Sequence, residues 1–139
     1  MKKVLALAVV LIATAPLAEA SSSVAAEDYT LEIVAEGSTC QVTWTKGGAS
    51  GSLDTGLEAP CSFNRNADGS LRVVGTGSGP VVLVEHSVPS PDAEGSCRTS
   101  LRGIALEAGE PALSPVTGTA AACLPAQWDE KMFIGLFER

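Results

Sequence analysis

Asp54-Thr55-Gly56 is the tripeptide in this sequence that most resembles a catalytic motif. In aspartic proteases it supplies one of two carboxylates that share a single proton, since like charges so close cannot both ionise. One copy supplies one carboxylate, so catalysis would need a second chain. The same tripeptide also makes a good turn. His86 is the only histidine, so any Ser-His-Asp or Cys-His centre must be built on it. It ends an apolar stretch beside a Pro-containing segment, and no Gly-x-Ser-x-Gly elbow accompanies it. A small exported hydrolase using Asp54 or His86 is therefore the secondary reading.

Other clusters are weaker. Gly75-Thr76-Gly77-Ser78-Gly79 has the composition of a phosphate-cradling loop, but neither dinucleotide spacing nor the lysine of a P-loop. It reads as a hairpin turn. Glu107 with Glu110, or Asp129 with Glu130, could pair for glycoside chemistry, yet nothing in their spacing selects them. Arg98 and Arg102 share one expected strand, either to anchor an acidic group of a partner or to pair with nearby glutamates. No sequon for N-glycosylation occurs.

The four cysteines, Cys40, Cys61, Cys97 and Cys123, are an even set without Cys-x-x-Cys spacing. With one histidine in the chain, a zinc site is disfavoured. An even count in an exported domain reads as two disulfides, of three possible pairings. Cys40–Cys61 and Cys97–Cys123 are favoured because each closes a local loop. A cysteine so paired cannot serve as a thiolate nucleophile. No metal and no cofactor is expected.

The elements that would position these residues read as strands. Cys40-Gln41-Val42-Thr43-Trp44-Thr45 alternates apolar and polar, the pattern of a half-buried strand. Tyr29, Leu31 and Ile33 predict a strand before it, and residues 51–57 a short strand and turn. Asn66-Ala67-Asp68-Gly69 predicts a tight turn, after which Ser70-Leu71-Arg72-Val73-Val74 returns with Leu71 and Val73 inward. Val81-Val82-Leu83-Val84-Glu85-His86 is apolar on both faces and predicts a central, covered strand. Residues 87–96 read as a loop, and Cys97-Arg98-Thr99-Ser100-Leu101 as another strand. From Pro125, the spacing of Trp128, Met132 and Leu136 predicts a short helix. The expected fold is mostly β, a small antiparallel sandwich or barrel with a short C-terminal helix.

The first twenty residues have the layout of a secretory leader: basic Met1-Lys2-Lys3, an apolar run to Leu17, and the small-x-small site Ala18-Glu19-Ala20. The run is shorter than the roughly 20 residues a membrane span needs. Residues 1–20 are thus expected to be a signal peptide and 21–139 one domain, periplasmic or secreted. The net charge of −7 argues against nucleic acid and anionic membrane surfaces. It suits a protein partner.

Tyr29-Thr30-Leu31, then Cys40-Gln41-Val42, Cys61 and Asp68-Gly69-Ser70-Leu71, follow in the order and spacing of a known family. In these residues the chain resembles the small periplasmic β-barrel inhibitors of secreted bacterial zinc metalloproteases. The resemblance implies a barrel and an N-terminal Ser-rich segment that enters the protease cleft, here Ser21, Ser22 and Ser23. The second cysteine pair and the 128–137 tail depart from that pattern. The leading expectation is an exported, non-enzymatic binding protein of inhibitor or immunity type. Its candidate contact residues are Ser21, Ser22, Ser23, Ser50, Asp54, Ser78, His86 and Arg98, with residues 50–55, 75–80 and 87–96 as contact loops. A structural cell-envelope component is the remaining alternative.

Overall fold

The computed structural model describes residues 22–138, so the expected leader and Ser21 lie outside it. The first sheet is a meander of β1 (Ser22–Ala26), β2 (Tyr29–Glu36), β3 (Thr39–Lys46) and β4 (Ala49–Glu58), paired in that order. Two-residue turns at 37–38 and 47–48 join the later strands, and short turns of this kind suit the right-handed twist of paired strands. The alternation read from the sequence sets the inner face. Tyr29, Leu31, Cys40, Val42 and Trp44 are buried, whereas Thr30, Val34 and Thr45 face out.

The second sheet contains β5 (Ser62–Phe63), β6 (Val74–Thr76), β7 (Gly79–Pro89), β8 (Cys97–Ala105), β9 (Ala112–Leu113) and β10 (Gly118–Ala120). Its order is β10-β8-β7-β5, with β6 also on β7 and β9 on β8; every pairing in both sheets is antiparallel.

Strand β7 has apolar residues on both faces because both are covered. Val82 and Val84 join Leu31, Val42, Phe63 and Ile104 in the core between the sheets. Val81 and Leu83 point the opposite way, into a second core closed by Trp128, Phe133 and Leu136. The molecule is therefore layered as sheet, sheet and C-terminal tail. Helix α1 (Glu130–Gly135) is capped by Asp129, whose side chain accepts from the Lys131 backbone N–H at 2.8 Å. Phe133 is its fully buried residue, and the Arg72 guanidinium carbon lies 5.0 Å from the ring centroid.

Both disulfides join the expected partners. Cys40–Cys61 ties β3 of one sheet to the lead-in of β5 in the other. Cys97–Cys123 ties the start of β8 to the chain just after β10. Loops of 21 and 26 residues correspond to about 3 kcal/mol each in the chain-entropy picture.

Five local readings change. Ser87–Pro89 continues β7 and pairs with β8, so the loop expected at 87–96 begins at Ser90. Ser22–Ala26, whose serines the resemblance assigns to a cleft-entering segment, is an edge strand on β2 with Val24 and Ala26 buried. Residues 51–57 belong to a continuous ten-residue strand. After the 66–69 turn only Arg65 and Leu71 form a bridge; Val73 is exposed and Val74 turns inward. The helix starts at Glu130, so Pro125 to Trp128 is an irregular segment laid against the second sheet.

Candidate functional site

Alternation along β7 places Glu85 on the same face as Val81 and Leu83, toward the tail, where the residue is 3% exposed. Its pairing partner in β5 is Ser62, and the neighbouring pair is Phe63 with Val84. Phe63 faces the inter-sheet core, so the next residue, Asn64, faces the tail. The backbone fixes Asn64 on both sides: its N–H donates to the Leu83 carbonyl at 2.9 Å, and its carbonyl accepts from Arg72 N–H at 3.1 Å. The tail contributes Trp128, held by packing with Phe133 and Leu136.

These three side chains converge on one oxygen. Glu85 Oε1 accepts from Asn64 Nδ2 at 2.6 Å and from Trp128 Nε1 at 2.5 Å. Asn64 Nδ2 also donates to the Ala126 carbonyl at 3.0 Å. Both partners of that nitrogen only accept, which fixes the amide orientation. Asn64 Oδ1 is buried and has no hydrogen-bond partner among the described residues. Burial holds the Glu85 carboxyl above its ordinary range, against the opposing pull of the Trp128 and Asn64 donors. No described Lys or Arg pairs with it.

Glu85 lines a cleft of about 710 Å³. One wall is the turn at residues 64–67, the other the segment 124–127. The 66–69 turn is set by Asn66 N–H to Ser70 O at 2.8 Å and by Gly69 at φ 88°. Asp68 accepts from the Ser70 backbone and hydroxyl, and the hydroxyl bond chiefly holds its carboxyl below the usual range. Gln127 Nε2 donates to the Arg65 carbonyl at 3.0 Å and links the two walls. A second concavity of about 380 Å³ shares Ser62, Glu85 and Leu124 and continues past Pro89 and Cys97.

The residues singled out in the sequence lie elsewhere. Ser21 is outside the described residues. Ser22 and Ser23 sit in β1, paired with Ile33 and Glu32. Ser50 and Asp54 are exposed on β4; Asp54 Oδ1 accepts from Gly56 N–H at 3.0 Å, and Gly56 has φ 71°, so the tripeptide sits at a bulge within the strand. Thr55 is fully buried and its hydroxyl donates to the Cys40 carbonyl at 2.7 Å. Ser78 is in the turn before β7, where its N–H donates to Thr76 Oγ1.

His86 and Arg98 do line one cleft, about 330 Å³, with Glu58, Ser100 and Thr117. His86 is buried, and its Nδ1 lies 2.9 Å from the Pro60 carbonyl. A carbonyl only accepts, so Nδ1 carries the proton. Nε2 has no hydrogen-bond partner among the described residues; Glu58 Oε2 at 3.8 Å is too distant for one. Arg98 is exposed and 3.8 Å from Asp92. Arg102 binds no glutamate among the described residues: Nε donates to Ser114 O at 2.8 Å and Nη1 to Thr55 O at 3.0 Å, which joins the two sheets.

Among the described residues no group of three His, Cys, Asp or Glu could hold a metal ion, and no helix is long and apolar enough to cross a membrane. Comparison with known protein families, known proteins and solved structures gives no match.

Proposed function

We propose that this chain is an exported binding protein that works without catalysis, occluding a site on another envelope or secreted protein. The inhibitors it resembles in residues 29–71 act in this way. The observation that carries the reading is the cleft at Glu85, an open concavity of about 710 Å³ walled by two irregular segments on a disulfide-tied sandwich. Contact residues on loops held by a rigid frame are the usual arrangement of a recognition site. The chemistry-bearing side chains support it too. All four cysteines are in disulfides, the Asp54 carboxylate accepts from the Gly56 backbone N–H, and His86 Nδ1–H donates to the Pro60 carbonyl.

The two disulfides also support a periplasmic or extracellular setting, where such bonds persist. On this reading contact is made through the 64–67 and 124–127 walls, with β1 remaining part of the sheet. Affinity capture with the tagged, oxidised protein should recover a stoichiometric partner, and the purified chain should block that partner's activity. The reading fails if repeated captures give no such partner. It also fails if the isolated protein turns over a substrate and either Asp54→Asn or His86→Ala abolishes the turnover.

A further inference from the structure

One acceptor on the side chains lining the cleft lacks a donor. Both hydrogen bonds to the Glu85 carboxyl fall on Oε1, leaving Oε2 with none from the described residues. Asn64 Oδ1 also has none from them, but it is sealed from solvent and is not offered to a ligand. Arg65 is the one cationic side chain among the described residues lining the cleft, and its Nη1 is engaged by the Gly69 carbonyl at 3.0 Å.

From this imbalance we infer that the cleft is a recognition site for a basic side chain, an arginine carried on an extended segment of the partner protein. This rests on the binding-protein reading and names its point of contact. A guanidinium brings several N–H donors and a positive charge in one plane, and so suits a carboxylate oxygen that has no donor of its own. It is less strongly hydrated than an ammonium and enters apolar-walled clefts more readily; Phe63, Pro125 and Ala126 are among the lining residues here. The continuation of the cleft into the second concavity, through Ser62, Glu85 and Leu124, gives a groove for residues flanking that arginine. A chain of net charge −7 attracts such a segment from a distance.

The Trp128 indole N–H is a built-in reporter, because it donates to Glu85 Oε1. The other indole, Trp44, lies in the inter-sheet core. Full-length oxidised protein labelled with ¹⁵N is titrated with N-acetyl-arginine methylamide, with N-acetyl-citrulline methylamide as the uncharged counterpart. The expected result is a saturable shift of the Trp128 indole signal with little movement of Trp44, at a dissociation constant on the order of 1 mM, as suits one side chain. Citrulline should bind about tenfold more weakly or worse, and Glu85→Gln, which keeps the shape and an acceptor for both donors, should lose arginine binding to a similar extent. No saturable shift would overturn the site, as would equal shifts with citrulline or binding retained in Glu85→Gln. Trp44-centred shifts would overturn it as well. A partner still captured by Glu85→Gln with undiminished affinity refutes this contact while leaving the binding-protein reading intact.

Discussion

Replacing Trp128 with Phe isolates the hydrogen bond that organises the cleft floor. Phe keeps most of the ring packing against Phe133 and Leu136 but removes the Nε1–H that meets Glu85 Oε1 at 2.5 Å. A hydrogen bond to a charged acceptor contributes about 1.5–3 kcal/mol, and one between neutral groups about 1 kcal/mol. Lost ring volume adds about 1 kcal/mol at either protonation state. The cost of Trp128→Phe should therefore be about 3 kcal/mol where Glu85 is ionised and about 2 kcal/mol where it is protonated.

The sign follows from linkage. The folded-state pKa of Glu85 is raised above its ordinary value of 4.5. Its contribution to stability is thus fully present below about 4.5 and is lost as pH rises through the folded value. Removing a donor to the ionised form raises that value further, so the penalty of the variant grows with pH. Urea unfolding followed by circular dichroism at about pH 4 and about pH 8 measures both numbers. In a Glu85→Gln background the Trp128→Phe cost should stay near its acid value at both pH values. A cost independent of pH in the protein that retains Glu85, or an equal pH dependence in the Glu85→Gln background, would refute the assignment of this hydrogen bond.

Phe133→Ala should cost about 3–5 kcal/mol in urea unfolding, since the ring is fully buried and also carries the Arg72 contact. Gly51→Ala and Gly103→Ala make a matched pair. An added Cβ would lie 2.7 Å from Trp44 Nε1 in the first and 2.7 Å from Phe137 Cε2 in the second. Trp44 is buried and packed edge-on against Tyr29, at 5.9 Å between ring centroids, so Gly51→Ala should cost about 3 kcal/mol. Phe137 is only half-buried and can swing aside, so Gly103→Ala should cost about 1 kcal/mol; equal melting temperatures for the two would contradict this. The double change Cys40→Ala, Cys61→Ala should lower the unfolding free energy by about 3 kcal/mol without altering the far-ultraviolet spectrum.

Local patterns carried the parts of the fold that were legible. The alternation of Cys40, Val42 and Trp44 needs one strand to read, and the doubly apolar run at 81–86 announces cover on both faces. The cysteine pairing followed from loop length. The misread parts depend on distant partners. Ser22–Ala26 has too few β-branched or large residues to be read as a strand by itself, and becomes one by joining the edge of β2. At 70–74 a frame error of one residue put Val73 inside in place of Val74, because side chains alternate with period two. Glycines at 51 and 56 hid the length of β4. The cleft floor had no local signature at all. Asn64 and Trp128 lie 21 and 43 residues from Glu85, and only the fold brings the three together. One signal was present: a glutamate inside the most apolar strand of the chain.

That glutamate anchors the tail through Trp128 and accepts from Asn64, yet it is a costly residue for the position. Its face of β7 is otherwise Val81 and Leu83 against Phe133 and Leu136, where an apolar residue would avoid burying a carboxyl but would leave the Trp128 and Asn64 donors without an acceptor. A carboxyl buried for structural reasons ordinarily comes with a cation, because an uncompensated buried charge is costly. Here the donors are neutral, an amide and an indole, and burial still outweighs them. A group held at a cost to stability, at the edge of a cleft, is the pattern expected of a site kept for binding. The two consequences have opposite slopes with pH. Ionising Glu85 destabilises the free protein, yet the ionised form is the one a guanidinium prefers, so arginine affinity should rise over the same interval in which the stability of the free protein falls. An affinity for N-acetyl-arginine methylamide that falls or stays flat as pH rises would separate the buried carboxyl from the ligand and leave its burial without a functional account.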